Sequence, residues 1–446
     1  MYRVVHGDSS PEPDVQGFLD LLNNLADHPF APARELFDTN ADLIVTRAPG
    51  RLDVMGGIAD YSGSHVLEYP IAEATFVAIQ LNEQRTLNVV TLPTDEPGRS
   101  FTMSLDVIDG PLIEYEAARE FFRQDGANRW AAYVAGVFLV LMRERNARFT
   151  SGANILISSR VPLGKGVSSS AALEVAVMSG VTKAFDISID GRETALLCQK
   201  VENVVVGAPC GVMDQMTAVF GERDRLLLLL CQPAEIKRMI TLPPPLRLWG
   251  IDSGIRHFVG GADYGSVRAA TFEGLRIISD LRPTTDFLAN ISPAEFEREY
   301  LARLPEQIRI PTAHPIYENA RVQRFVDLLD RCQTSSNPGS LFNELGELMY
   351  ASHNSYTALG LNSYGTDLLV QLVRREGPDA GLFGAKITGG GSGGTIAVLG
   401  DETSHVAIKR VAATYAAATG HDPYIFTGSS NGALLFVYLR LRDYSS

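Results

Sequence analysis

The sequence predicts an α+β protein built from two domains. Three observations lead there. Stretches of helical and strand-like periodicity are mixed along the chain without the strict alternation of a parallel α/β sheet. The 446 residues exceed one ordinary core, so two are expected. Two glycine-rich stretches, at 161–176 and 387–399, adjoin strand-like runs; one leads into a helix and the other into a strand.

Taken in order, residues 1–13 are polar and proline-containing and read as loose. Val15, Phe18, Leu19, Leu22 and Leu25 recur at helical spacing, which predicts an amphipathic helix over 15–25. Strands are expected at 43–48, 74–82, 86–91 and 152–158, and a strongly apolar helix at 130–145. Ser168 or Ser169 caps a helix running to about 185, because Ser accepts a hydrogen bond from the first helical turn. A further helix fits 192–206, and strands fit 226–230 and 246–252. Beyond that point helices are expected at 264–280, 316–331, 341–350, 366–375 and 405–419, with a final strand at 434–441. Residues 283–315 are marked by prolines and read as irregular.

The net charge of −13 argues against nucleic acid as a partner, since phosphate contacts dominate that affinity. No apolar run reaches the ~20 residues of a membrane span. No basic segment followed by an apolar core opens the chain, so no signal peptide and a cytoplasmic location are expected. Cys198, Cys210, Cys231 and Cys332 show neither CxxC nor metal-ligand spacing, which fits reduced thiols.

Three stretches carry chemistry. In VPLGKGVSSSAALEVA (161–176), Gly164 and Gly166 precede three serines and a helix. Glycines let backbone N–H groups approach a phosphate, and the helix N-terminus adds partial positive charge. The same residues also suit an ordinary strand–turn–helix junction with a serine cap; GxxxxGK[ST] is absent, so this is not a Walker A loop. In ITGGGSGGTIAVL (387–399), five glycines in six positions point to a close backbone approach, because Gly weakens regular structure by ~0.5–1 kcal/mol per site. In GAPCGVMDQ (207–215), Asp214 stands among Val212, Met213 and Met216, where a carboxylate could accept or orient a hydroxyl proton or simply cap a helix. Arg51 in RAPGRLDVMGGIADYSG (47–63) could pair with it and stabilise transferring phosphoryl charge.

Together the three motifs, in this order and spacing, resemble the GHMP kinase superfamily and its galactokinase branch. The resemblance spans roughly 43–440 and extends to NRWAAYVAGV (128–137), LCQKVEN (197–203), DSGIRH (252–257), ENARV (318–322), Ser352–His353 and SNGA (430–433). It implies a two-domain GHMP kinase fold with the active site in the cleft between domains. The expected divisions are an N-terminal extension at 1–40, an N-terminal domain at 41–230 and a C-terminal domain at 231–446 whose last strand could return to the first. ATP and Mg²⁺ are implied, with a small-molecule sugar as the other partner and no obligate protein partner.

The resemblance also implies roles. Arg51 matches the arginine between sugar and γ-phosphate, and Asp214 the proposed catalytic base. Asp60, Gly211 and Tyr264 match sugar contacts. Gly164, Gly166, Ser168 and Ser169 match the phosphate loop, and Ser170 and Glu202 the Mg²⁺ positions. Gly389, Gly390 and Gly391 belong to the motif that shapes the cleft. Lys165 departs from the galactokinase pattern; it either adds charge near the triphosphate or points to solvent.

The other departure is GGIADY (56–61) where galactokinases read GEHTDY. Their Glu and His sit by the sugar's C6 hydroxyl, whereas Gly57 and Ile58 offer no hydrogen bond. L-arabinose has the ring configuration of galactose without C6, so a pentose is expected. The alternative is that Ile58 is core and another group binds O6. These segments look most like the L-arabinokinases, which implies phosphorylation of L-arabinose at its anomeric hydroxyl. Galactokinase, L-fucose kinase and a non-catalytic sugar sensor are the alternatives.

Overall fold

The computed structural model describes residues 1–8, 12–93, 97–109, 113–124, 126–255, 264–392 and 394–444. Among them, thirteen strands form two sheets. The larger holds nine: β1 (Tyr2–His6), β2 (Leu43–Met55), β3 (His65–Asn82), β4 (Thr86–Pro93), β5 (Arg99–Ser104), β6 (Gly152–Ser159), β7 (Arg225–Leu230), β8 (Glu235–Thr241) and β13 (Leu439–Asp443). Its order is β1-β13-β2-β3-β6-β4-β5, with the β7–β8 hairpin attached to the first part of β3. The smaller holds β9 (Leu246–Asp252), β10 (Leu382–Ile387), β11 (Thr395–Asp401) and β12 (Ile425–Thr427), ordered β10-β11-β9-β12. The larger sheet therefore runs through Thr241, past a division at 230, and β13 closes it against β2.

Each sheet is faced by helices. Ala132–Arg145, Ser169–Ala184 and Met213–Phe220 build the main core over the larger sheet. Gly339–Ala358, Tyr364–Glu376 and His405–Thr419 cover the smaller one. The long helix Glu306–Thr334 packs on Tyr264–Leu281 and Gly339–Ala358.

Several expectations are corrected. The first residues are not loose throughout: Tyr2–His6 is an edge strand because β13 offers it an open ladder. The strands expected at 43–48 and 74–82 are parts of β2 and β3, which run from residue 43 to 55 and from 65 to 82. Pro49 and Gly50 look like breakers, yet the β2–β3 register shifts between Pro49 and Arg51 and absorbs them. The helix expected at 192–206 ends as a π-helical segment, Val201–Val206. Residues 283–315 are largely helical, and Glu306–Thr334 contains Pro311 and Pro315. A proline cannot bond the carbonyl four residues back. Here the carbonyl freed by Pro315, that of Pro311, lies 3.0 Å from Thr271 Oγ1, whose one proton it shares with the Val267 carbonyl at 2.9 Å, so a tertiary contact stands in for the missing partner. The final strand starts at Leu439, after a helical turn at Ala433–Phe436.

Candidate active site

The site is built around Arg51, which projects from β2 just past the bulge and is 3% exposed. Its Nε and Nη2 donate to Asp214 Oδ1 at 3.0 and 2.8 Å, and its Nη1 donates to the Gly166 carbonyl at 2.7 Å. One guanidinium thus joins the 161–176 loop to the carboxylate in the first turn of Met213–Phe220. Glu68 Oε2 lies 3.2 Å from Arg51 Nε. That N–H points at Asp214, so Glu68 receives charge without a hydrogen bond. Burial opposes the charge on Arg51, but Asp214, Glu68 and Asp53 outweigh it and raise its pKa.

The 161–176 loop and the 387–399 turn meet backbone to backbone. Ser168 stands at the N-cap position of Ser169–Ala184 in a left-handed conformation, with its buried Oγ unpartnered. Gly389 has φ +69°, and a Cβ there would lie 2.7 Å from the Gly166 carbonyl. At Gly394 (φ +82°) it would lie 2.5 Å from the Lys165 carbonyl. This contact accounts for Gly389 and Gly394, while a Cβ at Gly391 (φ +77°) would instead lie 2.6 Å from the Leu361 carbonyl. Gly390 and Gly391 lie in the same turn, and Gly393 is outside the described residues. Lys165 does not extend freely into solvent: its Nζ pairs with Asp252 Oδ2 at 2.8 Å, and the residue also lines the cleft beside this loop. Beside this loop a cleft of about 110 Å³ is lined by Trp130, Ile157, Val161, Leu163, Ser169 and Leu173, among others. Trp130 Nε1 is a buried donor with no partner.

Asp60 and Gly211 face each other. A Cβ at Gly211 would lie 1.9 Å from Asp60 Oδ2, so only glycine fits. Burial, then the charge of Asp214, pushes Asp60 up to about 7. Tyr264 stands edge-on to Tyr61, the neighbour of Asp60, with ring centroids 6.0 Å apart. Arg256 and His257 of the 252–257 segment fall outside the described residues. Gly57 and Ile58 lie on the same loop as Asp60. The Gly57 carbonyl accepts from His314 Nε2 at 2.9 Å, and the Gly56 N–H donates to Glu318 Oε1 at 3.1 Å. Ile58 is 1% exposed at φ +59° and packs with Tyr61, Val267, Tyr356, Leu359, Leu361 and Ile387. Its side chain is core, backing the site. That backbone conformation costs a β-branched residue roughly 1–2 kcal/mol and is held by the packing.

A second polar cluster suits a cation. Glu202 accepts a hydrogen bond from Ser170 and from Gln215 Nε2, the latter at 2.8 Å. Gln215 Nε2 also lies 3.5 Å from Glu174 Oε2. Burial first, and Asp214 next, push Glu202 up to about 7; burial and Glu202 raise Glu174 well above the carboxylate range. Glu174 Oε1 and Gln215 Oε1 are buried without partners. Two carboxylates and orphaned oxygens beside the serine loop are oxygen donors of the kind a hard divalent ion takes, but among the described residues no three acidic, His or Cys side chains gather into a complete metal site.

Residue patterns singled out Arg51, Asp214 and the loops, but not Glu174, Glu68, Asp53, Lys386 or Tyr356. Three of these were detectable: Glu174, Glu68 and Lys386 are each a charged residue flanked mostly by apolar ones in a helix or strand and wholly buried.

Family comparisons fit this geometry. Residues 132–222 match the GHMP kinases N terminal domain, 339–417 the GHMP kinases C terminal, and 34–81 the galactokinase galactose-binding signature. A galactokinase of Chloroflexus aggregans is 31% identical over 397 residues, covering 88% of this chain and 93% of its own. The chain belongs to the GHMP kinase family, in its galactokinase branch. It is an ATP-dependent sugar kinase. An L-arabinokinase of Arabidopsis thaliana is 44% identical over 497 aligned positions, covering 91% of this chain. This kinase spans about half of that relative, 47% of its length. The galactokinase of Lactococcus lactis, solved with galactose, shares the fold at TM-score 0.78 and 22% identity, over 93% of this chain and 99% of its own. Among the described residues no helix is long and apolar enough to cross a membrane.

Proposed function

We propose that this kinase transfers the γ-phosphoryl group of ATP to the anomeric hydroxyl of L-arabinose, giving L-arabinose 1-phosphate. The observation that carries the reading is the double engagement of Arg51, bonded to Asp214 and to the Gly166 carbonyl. It puts one fixed cation between a proton acceptor and a phosphate loop, and phosphoryl transfer is mostly positioning plus charge stabilisation. Both bonds from Arg51 go to Asp214 Oδ1, which leaves Oδ2 for the sugar hydroxyl. Asp214 takes that proton as the O1–Pγ bond forms and the bond to the β-phosphate oxygen breaks, releasing ADP. Arg51 neutralises charge on the γ-oxygens, while Gly164, Gly166, Ser168, Ser169 and the helix they open cradle the phosphates. The cleft at Trp130 takes the base. Ser170 and Glu202, with Glu174 behind them, would hold Mg²⁺, which supplies charge neutralisation at the triphosphate.

The sugar rests in the corner of Asp60, Gly211 and Tyr264. Support for L-arabinose comes from the 44% identical relative and from Gly57, which presents no side-chain donor or acceptor for a C6 hydroxyl; Ile58, being core, adds nothing to that choice. The four free cysteines fit a cytoplasmic setting.

The test is ADP release with ATP and Mg²⁺ against L-arabinose, D-galactose, L-fucose and D-xylose. Preference for L-arabinose supports the reading. Preference for D-galactose keeps the transfer and refutes the pentose. Sugar binding with no turnover on any of the four indicates a sensor. Asp214→Ala that kept most of its turnover would remove the base role.

A further inference from the structure

Gly57 is surrounded by side chains that leave it no room. A Cβ at this position would lie 2.0 Å from the Tyr356 hydroxyl and 2.1 Å from Asp53 Oδ2, distances no real Cβ shows. Neither atom is free to move aside. The Tyr356 hydroxyl donates to the Gly389 carbonyl at 2.8 Å and lies 3.3 Å from Asp53 Oδ2. Asp53 Oδ2 is paired with Lys386 Nζ at 2.7 Å, and both side chains are wholly buried. The Asp53 backbone N–H is held by Thr388 Oγ1 at 2.6 Å. From the other side His314 fixes the Gly57 carbonyl, and the His314 ring stands edge-on to Tyr356 at 5.7 Å. Tyr356 therefore touches both the turn that meets the phosphate loop and the loop that carries Asp60.

We propose that Tyr356 is a specificity-determining positioning residue: pinned between Asp53 and the Gly389 carbonyl, it excludes every side chain from position 57 and so keeps that wall of the sugar site bare. The proposal rests on the sugar-kinase reading of the site and deepens it. A glycine at 57 is then a consequence of Tyr356 and Asp53 together, and sugar choice is encoded in residues 53, 57 and 356 jointly. Gly57 alone cannot be exchanged for a polar residue that would hold a larger sugar.

The experiment is a double-mutant cycle on the full chain, with Gly57→Ser, Tyr356→Ala and the pair. Each is assayed for kcat and KM on L-arabinose and D-galactose and for KM of ATP. Gly57→Ser alone is expected to lose about a hundredfold in sugar kcat/KM with the ATP KM within about threefold. Added Tyr356→Ala gives Asp53 and the introduced serine room. The pair should recover about tenfold of that loss and move the galactose-to-arabinose ratio about fivefold towards galactose. Gly57→Ser with unchanged sugar kinetics, or a folded pair whose losses simply add, overturns the proposal. Melting curves accompany every variant. If Tyr356→Ala does not fold, the milder cycle of Gly57→Ala with Tyr356→Phe is read for the same coupling, where simple additivity is again refuting. A wild-type enzyme that prefers D-galactose would refute the pentose reading and leave the coupling measurable on that sugar.

Discussion

Asp60→Asn should stabilise the unliganded kinase, and the gain should depend on pH in a definite way. Burial and the nearby Asp214 raise the Asp60 carboxyl from 3.8 to about 7. Between those values the folded chain holds a proton that the unfolded chain has released. Folding stability therefore falls as pH rises through that window and levels off above it. A rise of roughly three pH units at ~1.36 kcal/mol each gives an upper limit of about 4 kcal/mol by pH 8. Asparagine keeps the neutral shape without titrating, so it should recover most of that at pH 8 and little at pH 4. With an unfolding entropy of about 0.9 kcal/mol per degree for 446 residues, the expected shift in Tm is about 4 °C at pH 8. Scanning calorimetry of both proteins from pH 4 to pH 8, without sugar, measures it. An equal or negative shift at both ends of the range would refute the idea that Asp60 is a destabilised carboxylate. Sugar turnover should fall in the same variant, since binding groups are kept at the expense of stability.

Lys386→Met leaves Asp53 buried and unpaired and should cost about 3–5 kcal/mol in denaturant unfolding; adding Asp53→Leu should restore most of it. Gly211→Ala drives a methyl group into Asp60 Oδ2 and should raise the sugar KM at least tenfold while the ATP KM stays put, as steady-state kinetics would show. Trp130→Ala should do the reverse, raising the ATP KM by about 5- to 100-fold from the loss of an aromatic wall for the base.

The sequence carried the outline of the proposed chemistry. Arg51 and Asp214 were legible because chemistry restricts which residues do such work, and they are found bonded. The helix after the serine loop was legible from its local run of helix-forming residues, although the serine cap expected there does not form: Ser168 Oγ accepts no bond from the first turn. Glycine density at 389–394 implied a close approach, but not its object; for Gly389 and Gly394 the Gly166 and Lys165 carbonyls became that object only when a loop and a turn from opposite halves of the chain met. Lys165 pairs with Asp252, 87 positions away, which no local pattern encodes. Residues 283–315 looked irregular because proline denies a helix its own bonds, and the contact that serves the carbonyl of Pro311 comes from Thr271 on another helix. The same holds for the wall of the sugar site. The bare Gly57 was visible in the sequence, whereas what crowds it, the hydroxyl of a tyrosine about 300 residues later and an Asp53 carboxylate held by Lys386, was decided by tertiary structure, because steric exclusion acts through space and leaves no period in the chain.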